Sequence, residues 1–126
     1  MTSMNVHVDR LDGATALDGR TQLRDRIETA RAAFLHRAGE KIHRAASLAT
    51  MLKAGQTAEQ QATLTELETL AHSLAGTAGS FGYASLSERA ELLEDAIVTH
   101  ALRPKILALV AGMVSAFLEI GLSADL

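Results

Sequence analysis

Residues 64–82 read LTELETLAHSLAGTAGSFG. Apolar side chains recur in this stretch every three or four residues, which is the period of a helix with one buried face. We predict an amphipathic helix that begins near a Thr57–Gln60 capping box and ends at Gly82, where glycine favours helix termination. Its apolar stripe consists of Leu64, Leu67, Leu70, Leu74, Ala78 and Phe81.

The longest apolar stripe lies upstream, between Thr21 and Gly55, and predicts a first helix that ends at Gly55. Residues 1–20 show no clear period, so we expect a flexible tail or a short extra helix there and a domain that comprises residues 21–126. The stripe consists of Leu23, Ile27, Ala30, Phe34, Ala38, Ile42, Ala45, Ala49 and Leu52.

Two more helices are predicted downstream. Ser85 and Glu88 have the spacing of a capping box at the start of the third helix, and Pro104 suits the first turn of the fourth. Short connections between four amphipathic helices predict an all-α fold, an up-down-up-down antiparallel four-helix bundle. The third stripe is Leu86, Ala90, Leu93 and Ile97, and the fourth is Leu107, Val110, Val114, Phe117 and Gly121.

The composition agrees with one small helical domain. Of the 126 residues 48% are hydrophobic but only 3% are aromatic, so the core is expected to consist of Leu, Ala, Val and Ile. The absence of Cys excludes disulfides and thiolate metal sites. We find no apolar run of transmembrane or signal-peptide length, and therefore expect a cytoplasmic protein with no membrane association. The net charge of −3 argues against a nucleic-acid partner.

His72, Gly76 and Gly79 share one face of the predicted second helix, opposite its apolar stripe. At about 100° per residue they lie roughly 140–200° from the centre of the stripe, and Ala75 lies near 100°. Glycine inside a helix costs about 1 kcal/mol relative to Ala, so these glycines do not serve folding. They leave space around the imidazole for a partner's backbone or a phosphate. A surface histidine beside a helix-packing groove is an equal alternative.

The segment 72–76, His-Ser-Leu-Ala-Gly, followed by Phe-Gly at 81–82, resembles the motif of the histidine-phosphotransfer (HPt) family. That motif reads His-any-Leu-Lys-Gly, with a further glycine downstream. Residues 86–94, LSERAELLE, are similar to the helix that follows in the family, and residues 34–38, FLHRA, resemble its first bundle helix. The resemblance is specific around the motif and generic elsewhere.

The resemblance implies that His72 is the phosphorylated histidine and that Ala75, Gly76 and Gly79 form the surface where a receiver domain docks. It implies a phosphocarrier that accepts the group from a receiver aspartate or a histidine kinase and passes it to a response regulator. Its partners would be receiver domains and sensor or hybrid kinases, and the chain itself a monomer. No cofactor is expected on this chain, since the receiver supplies Mg²⁺. No Walker or kinase glycine loop is present, so we expect no ATP-binding enzyme.

The family's lysine is missing, because Ala75 occupies its place. Arg37, Lys41 and Arg44 are expected at the height of His72 on the antiparallel first helix, where they can supply the positive potential instead. The alternative is that these residues are solvated charges of little effect. Two wider alternatives are a module that docks receivers without being phosphorylated, and a purely structural bundle.

No metal site is expected. His36 and His43 lie two turns apart on the first helix, and a metal site would need ligands closer together, with carboxylate or cysteine support. His100 falls at the end of the third helix, where a histidine favours the helix dipole.

Overall fold

The computed structural model describes the backbone of residues 2–55 and 59–125 and the side chains of residues 18–55 and 59–122. Four helices lie in these ranges: α1 (Thr2–Lys53), α2 (Gln60–Ser80), α3 (Ala84–Val98) and α4 (Arg103–Asp125). The predicted all-α class and four-helix bundle are confirmed.

The chain divides into two compact units, residues 1–35 and 36–126. In the first unit the side chains of residues 18–32 are all exposed, including Leu23 at 59% and Ile27 at 48%. The prediction that Leu23, Ile27 and Ala30 belong to a buried stripe is therefore wrong.

α1 has 52 residues, whereas α4, the longest of the other helices, has 23. An apolar period predicts a helix with one apolar face, but it does not predict where along the helix that face is covered. α1 also begins earlier than Thr21, the start that the apolar period predicts.

The second unit is a bundle of the C-terminal part of α1 with α2, α3 and α4. α2 packs against α3, and α3 against α4. Each fully buried leucine contributes about 1.5–3 kcal/mol to stability. The largest fully buried side chains of this unit are Leu48, Leu67, Leu74, Leu86, Leu93 and Met113.

The buried faces of α2 and α4 are rotated slightly from the predicted stripes. Ala71 lies in the centre of the buried face of α2, and in α4 Ile106 and Met113 take the buried places predicted for Leu107 and Val114. Where apolar residues stand side by side, their period indicates a helix but not its rotation about its axis. Contacts with neighbouring helices decide that rotation.

The turn between α2 and α3 closes at Gly82, whose φ is 83°. Its N–H donates to the Gly79 carbonyl, and the Tyr83 N–H donates to the Ala78 carbonyl at 2.9 Å. These two bonds form the Schellman arrangement that ends many helices. α3 then begins at once, with Tyr83 at the N-cap. The predicted cap at Ser85 is wrong, because the tight turn leaves Ser85 inside the first turn of α3.

The other helix ends agree with the sequence in part. Glu59 occupies the N-cap of α2, and the Thr57 of the predicted capping box lies outside the described residues. Pro104 lies in the first turn of α4, as predicted. His100, with a φ of 57°, closes α3 in the same left-handed conformation as Gly82.

α4 is long and apolar enough to cross a membrane by length and composition, with a mean hydropathy of 1.9 over Arg103–Leu122. A core helix of a bundle passes the same test. In α4 only 22% of this window is buried, with Ile106, Val110 and Met113 at helical spacing, so the helix packs one face against the bundle.

Candidate functional site

His72 lies within α2, on the face opposite the core. Leu67, Leu74 and Ala78 on the buried face are 0% exposed, while 79% of the His72 side chain is exposed. The helix backbone therefore holds the imidazole in a fixed place and presents it to solvent. This is the position that the angular count from the sequence predicts.

Glu94 of α3 fixes the orientation of the ring. The Nδ1 atom of His72 lies 2.7 Å from Oε2 of Glu94, whose side chain is mostly buried. A neutral imidazole that donates its Nδ1 proton to this carboxylate keeps the lone pair on Nε2. In that tautomer Nε2, the ring nitrogen with the free lone pair, lies on the side of the ring away from Glu94.

The sequence analysis missed Glu94. It lies 22 residues from His72, on another helix, and no local spacing links the two. The signal that could have found it is the turn at Gly82. Because α2 and α3 run antiparallel from that turn, positions at similar distances before and after it lie side by side.

The three residues predicted to form the docking surface have different surroundings. Gly76 is exposed, and a Cβ added there would meet nothing within 4 Å. A Cβ at Gly79 would lie 3.3 Å from Oγ of Ser87 on α3. Ser87 donates a 2.7 Å hydrogen bond to the Ala75 carbonyl, and Ala75 is only 9% exposed. The open approach to His72 is thus at Gly76, while Ala75 and Gly79 border the contact between α2 and α3.

Lys41 of α1 contacts Ser73, the residue next to His72 on α2. Its Nζ donates a 2.6 Å hydrogen bond to Oγ of Ser73, and this contact is partly buried. The sequence placed Lys41 near the height of His72, and its contact with Ser73 agrees with that placement. Arg37, one turn earlier on α1, is exposed.

Arg44 is held by a carboxylate. Its guanidinium makes two hydrogen bonds to Glu66 of α2, one of them 2.9 Å between Nη2 and Oε1. The hydrogen bond from Arg44 lowers the pKa of the Glu66 carboxyl, and the same bond together with the carboxylate charge raises the pKa of Arg44. The charge of Arg44 is therefore largely neutralised and is not directed at His72.

Among the described side chains, the other histidines form no comparable site. Nε2 of His36 lies 3.2 Å from Oε1 of Glu40, one turn further along α1. Among the side chains that the structure describes, no group of three or more His, Cys, Asp or Glu residues is placed to hold a metal ion.

The imidazole of His72 is exposed on the surface of α2. The groove that the structure shows between α1 and α2 is lined by Arg44, Met51 and Thr63 among others and does not include His72. Small-molecule sites are usually concave, so an imidazole exposed on a helix suits a protein partner that brings its own pocket.

The family model of the Hpt domain matches residues 20–120 of the chain, a range that contains His72, Gly76 and Glu94. No curated protein and no solved structure matches the chain.

Proposed function

Because this chain belongs to the Hpt domain family, whose members act in phosphorelays, we propose that His72 is its phosphoryl carrier. It accepts the group from an aspartate of a receiver domain, or from a histidine kinase, and passes it to a response regulator. The observation that carries the proposal is the exposed imidazole whose Nδ1 is bonded to Glu94. An exposed nucleophile with a fixed ring is what in-line phosphoryl transfer requires of the acceptor.

The chemistry follows from the tautomer. The Nε2 lone pair forms the new N–P bond while the bond between phosphorus and the aspartate oxygen breaks, and the carboxylate leaves with the electron pair. Positive charge develops on the ring, and Glu94 stabilises it and can take the Nδ1 proton. The return step is the reverse, with an aspartate of the next receiver as nucleophile.

The partner completes the site. At this site the chain offers the imidazole of His72 and the carboxylate of Glu94. Hpt domains are phosphocarriers rather than enzymes. In the proposal the receiver supplies Mg²⁺ and the groups that bind the phosphoryl oxygens. The protein acts in the cytoplasm as a monomer, and Gly76 gives the receiver backbone room to approach.

The first prediction tests the carrier directly. A receiver domain is labelled with radioactive acetyl phosphate and mixed with the chain. We expect acid-labile, base-stable label on the parent and none on His72→Gln, which keeps size and polarity but lacks the nucleophile. His43→Gln, an exposed histidine on α1, is the matched control and should label like the parent. Glu94→Ala should label more slowly but still label, because the nucleophile remains.

Three results would contradict the proposal. Label that persists on His72→Gln would place the phosphoryl group elsewhere. A receiver that binds the parent without losing its label would favour the docking module that is not phosphorylated. Loss of both binding and label across a panel of receivers would favour a structural bundle.

A further inference from the structure

Among the described side chains, α3 brings no cation to His72, because its one basic residue, Arg89, lies against α4. Ala75 stands on the α3 side of α2 and is only 9% exposed, next to the contact between its carbonyl and Ser87. The side chain that reaches the imidazole from α3 is the carboxylate of Glu94. A phosphoryl group on Nε2 carries negative charge, so it is repelled from the α3 side and favours the other side of the ring.

Lys41 of α1 lies on the other side of α2. Its Nζ is bonded to Ser73, the residue next to His72 on α2, at 2.6 Å. Ser73 is neutral, so the charge of Lys41 is not compensated by its partner, in contrast to Arg44, which is paired with Glu66. Ammonium binds a phosphoryl oxygen more strongly than a hydroxyl oxygen. The hydroxyl therefore keeps the ammonium near the site without neutralising it.

Gly76 leaves the surface of α2 open next to His72. Gly76 is the exposed position one turn after His72, and a Cβ there would meet nothing within 4 Å. The flexible stem of a lysine can swing its ammonium over a few ångströms without moving the helix. No side chain at Gly76 obstructs that movement.

We propose, on the basis of the proposed function, that Lys41 of α1 supplies the positive charge that stabilises the phosphoryl group on His72. The cation is delivered from the neighbouring helix rather than from position 75. In the free protein Ser73 holds it close to the histidine, and in the phosphorylated protein it turns to the phosphoryl oxygens. Lys41 is a positioning and electrostatic residue, while His72 alone forms the covalent bond.

The second prediction uses phosphoramidate, a small donor that removes receiver docking from the measurement. His72 attacks its phosphorus through Nε2, the P–N bond of the donor breaks, and ammonia leaves. The rate is followed by mass spectrometry on the intact chain. We expect Lys41→Ala to be roughly three- to tenfold slower than the parent and Lys41→Arg to recover most of the rate. Lys53→Ala, a lysine at the end of the same helix, should match the parent.

Salt separates a charge effect from a structural one. The parent rate should fall as ionic strength rises, and Lys41→Ala should respond less, because screening acts on the charge that it lacks. Ser73→Ala keeps the charge and should lose far less rate than Lys41→Ala. Equal losses in these two variants would overturn the proposal, because the hydrogen bond rather than the charge would then matter. A parent rate in Lys41→Ala would also overturn it, and would leave the assignment of His72 untouched.

Discussion

Gly76 and Gly79 lie close together on α2 but meet different surroundings. An added side chain at Gly76 would extend into open space, while a Cβ at Gly79 would press on Ser87 of α3 at 3.3 Å. The first glycine thus leaves an approach path, and the second allows α3 to pack closely. Both glycines destabilise the helix relative to alanine. Only at Gly79 is part of that loss offset, because α3 packs closely there.

The third prediction concerns Gly76→Gln. The variant should be more stable than the parent by about 0.5–1 kcal/mol, because glutamine is the better helix former and meets no neighbour. Transfer from a phosphorylated receiver should be roughly tenfold slower or worse, since a long side chain blocks the approach. Labelling by phosphoramidate, a small donor that needs no docking, should slow much less than transfer from the receiver. Unchanged receiver transfer, together with lower thermal stability, would show that Gly76 serves packing instead.

The sequence predicts the position of His72 and the height of Lys41 beside it, but it misses Glu94 and does not identify the contact that Lys41 makes, for a physical reason. The angular position of His72 follows from the periodicity of one helix, so it can be counted from residues 64–82. The contact of Glu94 with His72 and the contact of Lys41 with Ser73 depend on how α3 and α1 lie beside α2. If either helix were rotated about its axis by one residue position, other side chains would make these contacts. Periodicity does not determine that rotation.

At the level of helices and turns, two connections use the same left-handed conformation with different residues. Gly82 closes α2 with a φ of 83°, and His100 closes α3 with a φ of 57°. The Ala101 N–H donates to the Ala96 carbonyl at 2.8 Å, as the Tyr83 N–H does to Ala78. For a residue with a Cβ this conformation costs about 1–2 kcal/mol. Histidine at position 100 therefore strains the end of α3.

The fourth prediction follows from this pair. Gly82→Ala should lower the free energy of unfolding by about 1–2 kcal/mol, although a Cβ there meets nothing within 4 Å, because the penalty lies in the backbone. His100→Gly should raise it by up to about 1 kcal/mol, since relief of strain is partly offset by the greater freedom of glycine in the unfolded chain. Denaturant unfolding measures both. Shifts of the same sign in the two variants would contradict this view of the turns.

The sequence predicts that α2, α3 and α4 exist and that α2 ends at Gly82, but it does not predict the N-cap of α3. Ser85 with Glu88 has the right spacing for a capping box, yet Tyr83 caps α3. The hydrogen bonds of the Gly82 turn already fix where the chain re-enters a helix. When a turn is this tight, its own geometry outweighs the preference of a serine two residues later.

At the scale of the whole molecule, the bundle follows from four apolar stripes and short connections, and the structure agrees. The apolar period of the first helix predicts one buried face from Leu23 to Leu52, although only the C-terminal part of that face is buried. Periodicity shows that a segment is an amphipathic helix. It does not show how far the neighbouring helices extend, which depends on their lengths of 21, 15 and 23 residues.

The exposed stretch of α1 has a consequence for how its amide protons exchange with solvent. The described side chains of residues 18–32 are all exposed, so the helix there is held mainly by its own hydrogen bonds. A helical stretch of that length is only marginally stable in water without packing. In the bundle, by contrast, Ala45 and Leu48 of the same helix are enclosed.

The fifth prediction is that one continuous helix exchanges by two routes. Amides of residues 18–32 should exchange with deuterium through local opening, at free energies near zero and with little dependence on denaturant. Those around Ala45 and Leu48 should exchange only when the whole bundle unfolds, together with those around Leu67 and Leu74. Hydrogen exchange followed by NMR measures both. Equal protection along α1 would instead mean that residues 18–32 are covered in solution. If the two routes exist, the bundle can unfold and refold as a unit while the helical start of the chain opens independently of it.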